Sequence, residues 1–200
     1  MLLLASASPR RVELLRAAGY EFSVVPADVD EAALIEPNPW RTARATALAK
    51  ARAVHAAHPG ATVIGGDTVV AVKDGGRWTL LGKPEDDEDA ARMLRHLNGR
   101  EHTVVTGVAV VTDAREEVSS KTSRVRIELT EAEIAAYIAT GEPNGKAGAY
   151  AIQSGQPGIA LVGGPLDNVI GLPIELVRRL LRTPAHSPAR SPDPGPGPLG

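Results

Sequence analysis

Two arginines, Arg10 and Arg11, follow Ser8 and Pro9 in the run LASASPRRVELLRAAG that spans residues 4–19. Ser8 suits a helix N-cap and Pro9 a first helical position, so the arginines fall where the helix dipole is already positive. Each works against that dipole by about 0.3–1 kcal/mol unless something negative compensates. A phosphate would do so. Backbone N–H groups, the hydroxyls of Ser6 and Ser8 and two guanidinium forks together describe an anion pocket at a helix N-terminus. The alternative is that the arginines point into solvent or pair with Glu13 or an acidic loop.

Asp67 is the second candidate, in GGDT within the apolar, β-branched run ATVIGGDTVVAV (residues 61–72). An unpaired carboxylate inside a buried strand costs several kcal/mol, so Asp67 needs a cation, a strong hydrogen-bond set or access to a solvent-filled cleft. Gly65 and Gly66 let another group approach the backbone. A divalent metal and a phosphate suit that position; neighbouring backbone N–H groups would satisfy the carboxylate equally well. Asp28, Asp30, Glu31 and Glu36 form an acidic loop of the kind that supplies oxygen to Mg²⁺. Lys50, Arg52, Lys83 and Lys146 are weak signals singly and a cation cluster if the fold gathers them. His55 and His58 are read as helix C-terminal residues rather than metal ligands.

These residues need elements to hold them. Strands are expected at 2–5, 22–26, 61–72 and 78–81, with two long paired strands in HTVVTGVAVVT and SSKTSRVRIEL. Helices are expected at 9–18, 39–57, 84–97, 131–140 and 174–181, the fourth opened by a Thr130 capping box. The Gly- and Pro-bearing stretch SGQPGIALVGGPLDN (154–168) is expected to hold a longer or shifted loop. The fold class is α/β, with a large, partly antiparallel sheet and helices packed on it. Residues 1–182 form the domain, and the Pro/Gly-rich segment 183–200 is expected to be a disordered tail.

Composition removes several functions. With 22 basic and 24 acidic residues, no global field attracts a nucleic acid polymer or an anionic membrane. No cysteine is present, so thiolate nucleophiles, thiolate metal sites and disulfides are excluded. No run reaches membrane-spanning length, and Met1–Ala5 is too short for a signal peptide, so a cytoplasmic location is expected. P-loop, nucleophile-elbow and HExxH motifs are missing, which leaves chemistry by carboxylates, a metal and basic residues.

LASASPRRVELL, GGDTVV, GKPEDDEDAARMLRHLNGREHTVVTGVAV, GEPNGKAGAYAIQ and NVIGLPIELV occur in the order and approximate spacing of the Maf family of nucleotide pyrophosphatases, which the chain resembles from Leu2 to Leu181. The resemblance implies an elongated mixed sheet with flanking helices, like that of the inosine triphosphate pyrophosphatases, and two lobes around a cleft. It implies hydrolysis of a nucleoside triphosphate to the monophosphate and pyrophosphate with Mg²⁺ or Mn²⁺, and a possible homodimer. Asp67 falls on the family's catalytic acidic position and, with Glu31, is the expected metal ligand. Arg10, Thr68 and Gln153 fall on positions associated with base selection. Ser6, Ser8, Arg11, Lys50, Lys83 and Lys146 are the expected phosphate-binding residues, with Arg11 favoured for phosphate and Arg10 for the base. Thr after the Asp and the AYAIQ sequence resemble the dTTP/UTP branch; the alternatives are a 7-methyl-GTP or other non-standard nucleotide pyrophosphatase, or a non-catalytic nucleotide-binding regulator of cell division. The amide of Gln153 matches the O4 acceptor and N3–H donor of uracil or thymine.

Overall fold

The computed structural model describes residues 1–182; the proposed tail at 183–200 lies outside the described residues. One mixed sheet contains β1 (Leu2–Ala5), β2 (Ser23–Val24), β3 (Thr62–Asp74), β4 (Arg77–Leu81), β5 (Glu101–Thr112), β6 (Arg115–Ile127) and β7 (Ile159–Gly163). The helices are α1 (Pro9–Ala17), α2 (Pro39–Ala57), α3 (Asp87–Leu97), α4 (Glu131–Ala139), α5 (Leu166–Ile170) and α6 (Ile174–Arg182). Strand order is β2-β1-β3-β5-β6-β7, with β4 also paired to β3. β1 is parallel to β2 and β3; the other pairings are antiparallel. The α/β class is as expected.

β3 organises the molecule. One edge pairs with β5 from Val63 to Ala71. The other edge pairs with β1 only at Thr62–Gly65 and with β4 only at Val70–Asp74, so Gly66–Val69 lack a strand neighbour there. Alternation along the strand sends Val63, Gly65, Asp67 and Val69 toward α2, and Ile64, Gly66, Thr68 and Val70 to the opposite face. On that opposite face, Ile64 packs with Leu15 of α1 and Leu176, Val177 and Leu180 of α6. Val70 packs instead with Met93, Leu94 and Leu97 of α3 and Ile134 of α4. Two separate cores on one face make the two lobes, and the gap in the β3 edge lies between them.

Helix α2 sits unusually close to the sheet. Ala43, Ala47 and Ala51 are fully buried, and a Cβ at Gly65 would lie 2.1 Å from the Ala47 carbonyl oxygen. Gly107 on β5 has the same relation to Ala43, also 2.1 Å. The close approach at Gly65 is therefore made by a helix backbone, not by a metal or phosphate.

Helix signals in the sequence worked where side chains cap. Asp86 caps α3 through Asp89 N–H, and Thr130 and Glu133 complete the capping box of α4. Ser8 occupies the N-cap position of α1 without a side-chain capping bond; its own N–H donates to Ser6 Oγ at 3.2 Å. The third helix begins at Asp87 rather than Pro84, because capping at Asp86 leaves Pro84 and Glu85 outside it. The second strand shrinks to Ser23–Val24, the residues in register with Leu3 and Leu4 of β1, and Val25 N–H then donates to the Leu4 carbonyl. The stretch 154–168, expected to hold a loop, contains β7, paired to β6, and the start of α5. Gly158, at φ +85°, admits the entry to β7, since a Cβ there would lie 2.2 Å from the Glu128 carbonyl oxygen.

Candidate functional site

A cleft of about 690 Å³ opens at the gap in β3, within the size range of small-molecule sites. Ser6, Ser8, Arg10 and Arg11 line it from the β1–α1 side, and Glu31 from the loop before α2. Lys50 enters from α2, Asp67 and Thr68 from β3, and Lys83 from the turn after β4. Lys146 and Gln153 complete it from the segment before β7. The eleven residues expected at the site thus line one cavity, although they are dispersed over the chain from 6 to 153; of the other candidates, Arg52 pairs with Glu116 and Glu36 with Arg41, and neither these two nor Asp28 and Asp30 line it.

Asp67 is compensated by a lysine. Lys50 Nζ lies 2.9 Å from Asp67 Oδ1 and 3.0 Å from Glu31 Oε1, so one ammonium joins two carboxylates from different elements. Burial raises the Asp67 carboxyl above its usual range, while Lys50 and Arg11 pull it back down. Lys50 also sits on a stripe that sequence reading missed. Thr42, Thr46 and Lys50, spaced i, i+4 and i+8 on an otherwise alanine-rich face, all line the cleft. Thr42 further ties the acidic loop to α2, its hydroxyl donating to the Glu36 carbonyl and accepting from the Glu36 N–H.

Arg11 crosses to the other face of β3. Its Nε donates to the Gly171 carbonyl at 2.8 Å, Nη2 to Thr68 Oγ1 at 3.0 Å and Nη1 to Ser6 Oγ at 3.3 Å. Gly66 leaves it room, since a Cβ there would lie 3.2 Å from Arg11 Nε. Three of five guanidinium N–H groups are engaged, and burial and Arg10 lower its pKa against the attraction of Asp67. Ser6 Oγ accepts from both Arg11 and the Ser8 N–H, which leaves its hydrogen for the cleft.

The remaining cations differ in freedom. Lys146 is held by Glu142, through the backbone carbonyl and through a carboxylate oxygen at 3.3 Å. Arg10, Lys83 and Gln153 have no side-chain hydrogen bond or ion pair among the described residues, and Lys83 and Gln153 are exposed. The Gln153 segment is anchored behind the cleft by Tyr137, whose hydroxyl accepts from the Ala151 N–H at 2.9 Å. The neighbouring glycine loop is tied to the turn after β4 by Gly148 N–H donating to the Gly82 carbonyl.

An apolar wall, with Val70, Leu81, Val104, Ile152 and Val169, faces these polar groups. Tyr150 belongs to it, and its hydroxyl meets His102 Nε2 at 2.8 Å. Burial pushes the Tyr150 phenol up and the His102 imidazole down to about 4, so both are neutral at physiological pH. His55 lies away from the cleft with Nε2 3.2 Å from Asp113, a partner distant in sequence, and His58 Nδ1 contacts the Val54 carbonyl.

The donor set fits a hard cation of limited protein ligation. Carboxylates from two elements, Asp67 and Glu31, converge on the Lys50 ammonium through one oxygen each, and each carries a second oxygen. No cluster of three or more His, Cys, Asp or Glu side chains occurs among the described residues. Any Mg²⁺ there would need substrate phosphate and water as further ligands, which is its usual habit.

The family model described as Maf-like protein matches residues 1–184. A dTTP/UTP pyrophosphatase of Koribacter versatilis is 48% identical over 183 residues, covering 90% of this chain and 93% of its own. One from Symbiobacterium thermophilum is 46% identical over 182 residues, covering 90% and 92%. One from Moorella thermoacetica is 47% identical over 184 residues, covering 90% and 93%.

Proposed function

The chain belongs to the Maf family, and from that premise we propose that it hydrolyses dTTP and UTP to the monophosphate and pyrophosphate in the cleft at Asp67. The observation that carries this is the convergence of one buried carboxylate, a set of cations and an apolar wall on a cavity of nucleotide size, in a chain nearly half identical to dTTP/UTP pyrophosphatases.

Water attacks the α-phosphorus, the bond to the bridging oxygen breaks, and pyrophosphate leaves. Asp67, a carboxylate that burial makes more basic than an ordinary aspartate, orients the water and accepts its proton. Lys50, Lys83, Lys146 and the free N–H groups of Arg11 neutralise the triphosphate, and Ser6 and Ser8 add short-range polar contacts. Asp67 and Glu31 would hold Mg²⁺ or Mn²⁺, which when bound neutralises charge on the phosphate oxygens. For that, the Lys50 ammonium gives up part of its hold on the two carboxylates. Arg10 and Gln153, with no protein partners, and Thr68 are the side chains we assign to the base; the Gln153 amide both donates to O4 and accepts from N3–H. No described helix is long and apolar enough to cross a membrane. We infer a cytoplasmic setting, where the nucleotide pool is.

The test is pyrophosphate release from dTTP, UTP, CTP, 7-methyl-GTP and ITP with Mg²⁺, for the wild type and Asp67→Asn. Turnover of dTTP and UTP that is lost in the variant is the expected result. Absence of turnover by the wild type would overturn the enzymatic reading, and faster turnover of 7-methyl-GTP than of UTP would overturn the substrate assignment.

A further inference from the structure

The hydroxyls behind Arg11 can donate in only one direction. Thr106 Oγ1 lies 2.7 Å from the Asn168 carbonyl oxygen and 3.0 Å from Thr68 Oγ1. A carbonyl only accepts, so the single Thr106 hydrogen goes to Asn168; pointing it elsewhere would leave two acceptors in contact at 2.7 Å. Thr68 therefore donates to Thr106, and turns a lone pair, never a hydrogen, toward Arg11 Nη2. Thr106 and Asn168 are both fully buried and neither lines the cleft. Asn168 is fixed in turn, its Nδ2 donating to the Val104 carbonyl at 3.1 Å and to Ser123 Oγ at 3.0 Å.

We propose that Thr106 is a positioning residue for Arg11: by accepting the Thr68 hydrogen it fixes the lone pair that, with the Gly171 carbonyl, holds the guanidinium still and leaves its two uncommitted N–H groups as a preset anion fork. This rests on the reading of the cleft as a triphosphate site. Removing the Thr106 oxygen leaves the Thr68 hydrogen without its acceptor, free to rotate toward Arg11 and repel it. A fixed donor is worth more in a water-poor cleft than one that must reorient as charge develops, so the loss falls on kcat more than on KM.

Two readouts test it. In ¹⁵N spectra of the unliganded chain, the Arg11 Nε–H should be protected from solvent exchange, and Thr106→Val should speed that exchange by about tenfold or more, whereas Thr106→Ser should preserve it. In UTP turnover, Thr106→Val should lower kcat about tenfold with little change in KM, Thr106→Ser should recover most of the loss, and in an Arg11→Lys background Thr106→Val should add less than about twofold. Thr106→Ala, which adds no methyl group near the Asn168 carbonyl, replaces the valine variant if that variant does not fold. Unchanged exchange at Arg11, a serine variant as damaged as the valine one, or a full Thr106→Val loss in the Arg11→Lys background would each overturn the proposal. A wild type that turns over no nucleotide would overturn the functional reading and the kinetic role of Thr106 with it; the exchange measurement still decides whether Thr106 holds Arg11.

Discussion

Lys50 Nζ lies 2.9 Å from Asp67 Oδ1, with the two side chains only 10% and 13% exposed. The lysine comes from the middle of a helix and the aspartate from the open edge of a strand, so the pair holds together the two elements that bound the cleft. Breaking such a pair leaves one charge poorly solvated. We expect Lys50→Met to lower stability by about 3 kcal/mol in urea denaturation. Asp67→Asn should cost much less, because Lys50 keeps Glu31, and the double variant should recover part of the Lys50→Met loss. In pyrophosphate release, Asp67→Asn should cost about 10²–10⁴-fold.

Glu31 contributes differently. Its side chain is 53% exposed although it contacts Lys50, so the pair resembles an exposed ion pair and its loss should cost well under about 1 kcal/mol. Among the described residues, however, it is one of the two carboxylates that line the cleft, the other being Asp67. Glu31→Gln should leave the melting temperature almost unchanged and raise the Mg²⁺ concentration for half-maximal turnover on the order of tenfold.

His102 gives the fold a pH dependence of known sign. Its imidazole is held at about 4, below the ordinary value, so between roughly pH 6.5 and 4 the unfolded chain binds a proton that the folded chain refuses. Stability is full above that window and declines as pH falls through it, by about 3 kcal/mol in all. Melting curves across the window should be flatter for His102→Gln than for the wild type. An equal slope would remove His102 as the cause.

Gly65 and Gly107 should be far less replaceable than glycines in open turns. A methyl group at either would lie 2.1 Å from a carbonyl oxygen of α2, so Gly65→Ala and Gly107→Ala should each cost about 3 kcal/mol or more. Gly60, at φ +80° with nothing within 4 Å, should cost only about 1 kcal/mol on replacement by alanine. Parallel urea titrations would show the difference directly.

How far the sequence exposed this arrangement depended on the range of the interaction. The capping box at Thr130, the dipole-complementing helix ending at Leu97 and the doubly buried β3 are local patterns, and each is present as read. Asp67 announced itself because a carboxylate in an apolar strand requires compensation. What compensates it did not, since Lys50 looks like any helix lysine until α2 is laid across Gly65. Arg11 was readable as an arginine seeking a negative partner or else solvent, Glu13 or an acidic loop, whereas its protein partners are neutral, the Gly171 carbonyl and the Ser6 and Thr68 hydroxyls, two of them distant in sequence. β7 went unread for a local reason: flanking glycines and Pro157 suggested a loop, whereas the apolar run between them needed the free edge of β6 to become a strand.

β3 passes through both lobes and is paired to β5 for its length from Val63 to Ala71, beneath the gap as well as beside it. The two walls of the cleft are therefore mounted on a single beam, and a hinge between them would have to break a ladder of interstrand hydrogen bonds. Entry and exit of a nucleotide are left to the parts not mounted on that beam: the acidic loop that carries Glu31 and the glycine-rich segment that carries Lys146 and Gln153. Turnover should be timed by loops, with the Asp67 wall standing still while they move.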